Sequence, residues 1–119
     1  MATIKAFTDL QQSKKLAEIL PIESADMCFV NDGTAIKIDA NSYNVRKHMW
    51  KGEGVQLIPC WSISALLSVL PEIQGSKPVI ALDDNYITYP HMSDLHTKAD
   101  NLVDACYELI LKLHELNLL

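Results

Sequence analysis

Three short stretches of this chain combine residue types that could do chemistry. The first is HMSDLH, which puts His91, Asp94 and His96 within six residues. Imidazole nitrogens and a carboxylate suit zinc and other transition metals, so these three are the candidate metal ligands. The second is Asp83, Asp84 and Asn85, between two apolar runs. Adjacent carboxylates can hold a hard cation or divide acid and base work, but Asp and Asn also bond their own backbone in tight turns. The turn reading is favoured. The third is Cys60, just ahead of an apolar helical stretch, where a thiol at a helix N-terminus can have a lowered pKa. No His or Asp stands near it in sequence to complete a relay, so buried packing is the favoured alternative and no catalytic residue is assigned.

Other constellations are weaker. NDGT (31–34) has the composition of a calcium-loop fragment without the later ligands, and reads as a turn. The string RKHMWKG supplies Arg46, Lys47, Trp50 and Lys51, a basic cluster with one aromatic. These four are the candidate binding residues, for an acidic partner or single-stranded nucleic acid. A net charge of −5 weighs against general affinity for phosphate backbones, so a protein partner is expected rather than nucleic acid. No glycine-rich phosphate loop, GxSxG elbow, HExxH pair or dinucleotide fingerprint occurs, and four glycines give a phosphate cradle little material. No cofactor is expected, and the balance leans away from an enzyme.

The elements that must position these residues follow from periodicity. Thr8 and Gln11 have capping-box spacing and open a helix in which Leu10, Ala17 and Leu20 share a face, ended by Pro21. MCFV and AIKI flank an Asp32–Gly33 turn and predict a hairpin. Residues 39–56 read as a variable loop, and a connection this long in a small domain is a place to look for a binding surface. In IPCWSISALLSVLP, Ser62 is a candidate N-cap for a helix apolar nearly all round, bracketed by Pro59 and Pro71, with Ser64 and Ser68 as its thin polar stripe. Such a helix belongs in the interior. PVIAL and YITYP form a second hairpin about the Asp83–Asn85 turn. From Thr97, with Asp100 at capping-box spacing, Leu102, Cys106, Leu109, Leu113 and Leu116 recur at intervals of four and three and mark the clearest helix. Leu118 and Leu119 trail beyond it, an apolar tail that suggests a homodimer.

A length of 119 residues fits one domain with its own core, and 49% apolar with 21% charged residues is the balance of a soluble globule. The start lacks an unbroken apolar run, and no stretch approaches the ~20 residues that cross a bilayer. Three cysteines with no secretory signal fit reduced thiols in a cytoplasm. The expected architecture is a single α+β domain over 1–119, in the order α-β-β-α-β-β-α, with antiparallel hairpins packed against helices. The expected core comprises Leu16, Leu20, Phe29, Ile36, Trp61, Leu66, Leu70, Val79, Ile80, Leu102, Cys106, Leu109 and Leu113.

Three blocks together, FTDLQQSKKLAEILPIESADM, IPCWSISALLSVLP and ADNLVDACYELILKLHEL, resemble a family of short uncharacterised proteins of Bacteroides-type gut bacteria and their prophages and mobile elements. The Pro-Cys-Trp-Ser run leading to Leu-Pro is the most specific of them, and residues 30–57 match no part of the pattern. The resemblance implies a cytoplasmic accessory role in a bacterium or phage and carries over no functional residue. The function expected is therefore a non-enzymatic interaction or regulatory protein. The alternative is a small-ligand or metal binder, or an enzyme, using the 39–56 loop and the His91/Asp94/His96 segment.

Overall fold

A computed structural model of the chain describes residues 5–29, 35–37, 58–90, 92 and 95–119. They form an α+β fold with two antiparallel three-stranded sheets. The order is α1 (Leu10–Ile19), β1 (Met27–Phe29), β2 (Ala35–Lys37), β3 (Ile58–Cys60), α2 (Ile63–Val69), β4 (Val79–Ala81), β5 (Tyr86–Thr88), β6 (His96–Lys98) and α3 (Leu102–Glu115). The expected alternation of helices and hairpins is present, and each hairpin has gained a third strand. The chain divides into two compact units, Phe7–Ala65 and Met1–Ala6 with Leu66–Leu119, so the boundary falls inside α2.

In the first unit β1 is central. It pairs with β2 in the register Met27↔Lys37, Cys28↔Ile36, Phe29↔Ala35, and with β3 in the register Met27↔Cys60, Cys28↔Pro59, Phe29↔Ile58. The sequence pattern places Pro59 as a helix bracket; it lies instead within β3. An edge strand can hold a proline, because the ring's missing N–H leaves the paired side of the ladder intact. Leu16, Leu20, Met27, Cys28, Phe29, Cys60 and Trp61 are buried here, and the Phe7 ring meets Phe29 edge-on at 6.0 Å. α1 packs against β3.

Its cap differs from the expected one by a residue. Asp9, not Thr8, is the N-cap: its carboxylate accepts from the Gln12 amide at 2.8 Å and the Gln12 side chain accepts from the Asp9 amide at 3.1 Å. Leu10, expected on the buried face, is 44% exposed in the first turn, and Ser13 and Leu16 are the buried positions of the helix.

In the second unit β5 is central, with β4 and β6 on its flanks in the registers Ile80↔Ile87 and Ile87↔Thr97. α3 packs on β5 and β6. Leu102, Val103, Cys106, Leu109, Ile110 and Leu113 are buried along α3, as the four-and-three spacing predicts. The last member of that stripe, Leu116, is 52% exposed. Thr97 belongs to β6 rather than to a cap, and Asn101 takes that role by accepting from the Asp104 amide at 2.8 Å. The Thr97 hydroxyl donates to the Ala105 carbonyl at 2.5 Å, which ties the strand to the helix it precedes.

Val79 is the expected core residue that the fold places elsewhere. It is 53% exposed because β4 lies at the margin of its sheet, and Ile80, on the opposite face of the strand, is half-buried. The side chain of Ile36 lies outside the described residues. In α2, Ser64 and Ser68 are exposed as the polar stripe predicts. Ile63, Leu67 and Val69 are half-buried, so the helix is less enclosed than its composition suggests.

Candidate functional site

The densest polar cluster in the described residues surrounds Trp61 and Ser62, and three segments build it. β3 delivers Trp61, whose side chain is fully buried and whose indole Nε1 donates to the Ser24 hydroxyl at 2.9 Å. The Ser24 hydroxyl donates onward to the Pro21 carbonyl at 2.5 Å, inside the short 3-10 turn Ile22–Ser24 that follows α1. From the other side, buried Thr8 receives the Trp61 amide on its hydroxyl at 3.1 Å and shares a 2.8 Å hydrogen bond with the Ser13 hydroxyl.

Ser62 is the N-cap of α2, as its position predicts, accepting from the Ala65 amide at 3.2 Å. It is held by Asp26, whose two carboxylate oxygens receive the Ser62 amide at 2.9 Å and the Ser62 hydroxyl at 2.5 Å. The carboxylate thus fixes the residue that begins a helix, where negative charge is favoured. Every hydroxyl and amide named here is answered by another protein group, so the cluster fastens the sheet to α1 rather than presenting a reactive group. No local motif marks Ser24 or Asp26, and the capping spacing of Thr8 points to a different role; the three are brought to Trp61 and Ser62 from 36 to 53 residues away.

Beside this cluster, Cys60 is wholly buried. Burial, with the neighbouring Cys28 and Asp26 adding to it, pushes its thiol up to about 12 from an ordinary 9.0. Desolvation of the thiolate outweighs the helix end, and the favoured reading of Cys60 as a buried packing residue holds. Cys106 is pushed up to about 12 and Cys28 is raised, both by burial. All three are free thiols in dry surroundings, and a thiolate nucleophile is not formed from any of them near neutral pH.

The predicted metal and binding residues are mostly beyond description. Arg46, Lys47, Trp50 and Lys51, the 39–56 loop, the 31–34 turn, His91 and Asp94 all lie outside the described residues. His96 is exposed at the start of β6, where its ring leans on Tyr86 across the ladder at 5.8 Å with a 32° tilt. Among the described residues no three His, Cys, Asp or Glu side chains converge as a metal site would require. Asp83 and Asp84 sit in a 3-10 turn and are exposed, and Asn85 adopts a left-handed φ of 50° with its amide donating to the Asp100 carbonyl at 3.1 Å. The turn reading holds.

Two surface features belong to the second unit. A solvent-open cleft of about 360 Å³ is bordered by Leu67, Ser68, Leu70, Glu72, Lys77 and Ile80, among others. It has no buried charge, so it lacks the convergent polar groups that orient a small ligand. The other is apolar. Past α3 the Asn117 amide donates to the His114 carbonyl at 3.1 Å and the Leu118 amide reaches the Leu113 carbonyl at 2.9 Å, with Asn117 at φ 58°. This is a Schellman closure. It leaves Leu116, Leu118 and Leu119 at 52%, 36% and 42% exposure within one turn of chain.

No helix of the described residues is long and apolar enough to cross a membrane. No protein-family model, curated protein or solved structure matches this chain.

Proposed function

We propose that this chain works by association, as a non-enzymatic interaction or regulatory protein in a bacterial or phage cytoplasm, binding its own copy or another protein. The observation that carries this reading is the leucine turn. Leu116, Leu118 and Leu119 stand in water although a Schellman closure fixes the backbone that presents them. Exposed large apolar side chains grouped on an ordered segment gain free energy when a partner covers them, at roughly 25 cal/mol per Å² of apolar surface. Burial of all three thiols agrees with this reading, since it withholds them from chemistry.

The test is the mass of the full chain in solution across a concentration series, beside a Leu116→Glu/Leu119→Glu variant. Association that is lost or sharply weakened in the variant supports the reading. A chain that is strictly monomeric at every concentration and engages no protein overturns it.

A further inference from the structure

The cleft beside α2 and the leucine turn after α3 lie in the same compact unit, the one that contains Leu66–Leu119, so every copy of the chain carries both. The cleft has an apolar lining of Leu67, Leu70, Pro78 and Ile80, and the charges that border it, Glu72 and Lys77, are exposed. Such a lining suits apolar side chains better than a polar small molecule.

Glu72 and Lys77 stand side by side. Ile73 and Ser76 form an antiparallel bridge with backbone hydrogen bonds of 2.9 and 2.8 Å, and Glu72 and Lys77 are the next positions outward. Residues that face each other in this way have Cβ atoms about 5 Å apart on one side of the ladder. Burial alternates accordingly: Ile73 and Ser76 turn in, and Glu72 and Lys77 turn out.

The leucine turn carries a matching pair. Glu115 directly precedes Leu116, and Lys112 lies one helical turn before it, its carbonyl receiving the Leu116 amide at 3.1 Å. Three apart on α3, Lys112 and Glu115 have Cβ atoms about 5–6 Å from each other. Among the described residues, no ion pair or hydrogen bond engages the side chains of Glu72, Lys77, Lys112 and Glu115.

Resting on the reading that the chain works by association, we infer that the leucine turn of one copy docks in the cleft of a second copy. Leu116 and its neighbours enter the apolar lining, Glu115 meets the partner copy's Lys77, and Lys112 meets the partner copy's Glu72. Each pair holds one positive and one negative member at nearly the same spacing, so every charge finds its opposite in one orientation. Turning the guest end for end sets like against like. One turn in one cleft buries less than the ~800 Å² per partner of a standard interface, so the contact is weak and concentration-dependent. Two copies that exchange turns make it twice, which closes the pair.

Sedimentation equilibrium of the full chain tests this with two charge-swapped variants. Glu72→Lys/Lys77→Glu reverses the cleft and Lys112→Glu/Glu115→Lys reverses the turn. Each alone sets like charges together and is expected to associate roughly tenfold more weakly. An equimolar mixture of the two matches reversed turn to reversed cleft and native turn to native cleft, and recovers wild-type association. Thermal unfolding confirms that each variant is folded, and added salt weakens the wild type, a readout that needs no variant. Undiminished association of either variant alone, or no recovery in the mixture, overturns the docking. Association that survives both charge swaps but is lost in the leucine-turn variant overturns the docking alone, and a chain monomeric at every concentration overturns it as well.

Discussion

Thr8 and Trp61 exchange two hydrogen bonds: the Thr8 amide donates to the Trp61 carbonyl at 3.0 Å, and the Trp61 amide donates to the Thr8 hydroxyl at 3.1 Å. Because both residues are wholly buried, neither amide has water as a substitute partner. Closing a loop of 53 residues costs chain entropy, and this pair is one of the contacts that offsets it.

Removing the Thr8 hydroxyl leaves the Trp61 amide without its acceptor and the Ser13 hydroxyl with only its long 3.5 Å bond to the Thr8 carbonyl. Thr8→Val keeps the shape and is expected to lower stability by about 1–3 kcal/mol, the cost of an orphaned buried donor. Thr8→Ser keeps the hydroxyl and should lose less than half of that. Urea denaturation of the two variants beside wild type makes the comparison. Equal losses would mean that the methyl group matters and the hydrogen bond does not.

That pair also shows why the sequence is only partly legible. Thr8 carries a capping signal three residues before Gln11, yet Asp9 stands three before Gln12 and offers the same signal. Tertiary contacts decide between them, because Trp61 claims the Thr8 hydroxyl and Asp9 is left for the cap. Thr97 repeats the case: it is absorbed into β6, and Asn101 caps α3. Long periodic stripes are legible because they need no distant partner, and Leu102, Cys106, Leu109 and Leu113 lie where their spacing puts them. The fate of Val79 depends on which strand is last in the sheet, a property of pairing that alternation does not encode. The cluster of Ser24, Asp26 and Ser62 is illegible for the same reason.

The two helix caps are separable by mutation. Asn101→Ala and Asp9→Ala are each expected to cost about 1 kcal/mol, as the loss of an N-cap side chain usually does. Chemical denaturation of the Ala variants checks the claim. A change within error at Asn101 would remove it from the cap.

The buried thiols make stability fall in alkali. Cys60 and Cys106 are held up to about 12 in the folded chain against 9.0 when exposed. Between those values the unfolded chain gives up protons that the folded chain keeps. Unfolding is therefore favoured as pH rises, and stability is full below about pH 9 and declines above it. Each thiol contributes a slope of up to about 1.4 kcal/mol per pH unit in that window. Tyr89, raised by burial from 10.0 to about 12, adds to the upper part of the range. Denaturation midpoints at pH 8, 9 and 10 follow the decline, and a Cys60→Ala/Cys106→Ala pair should flatten it. At pH 8 the native chain should also resist iodoacetamide until denaturant is added.

Leu109 and Leu116 share one heptad stripe on α3 and differ in what surrounds them. Leu109 is wholly buried, whereas Leu116 is 52% exposed. Leu109→Ala removes buried methyl groups and leaves a cavity, a loss of about 2–5 kcal/mol. Leu116→Ala, at the C-cap of that helix, is expected to change stability by no more than about 0.5 kcal/mol, as surface substitutions do. If the leucine turn is a partner surface, Leu116→Ala should instead weaken association while leaving the denaturation midpoint of dilute protein unchanged. Measuring both quantities on the same sample separates packing within the chain from packing between chains. A large loss of stability at low concentration would place Leu116 in the core and remove it from the surface.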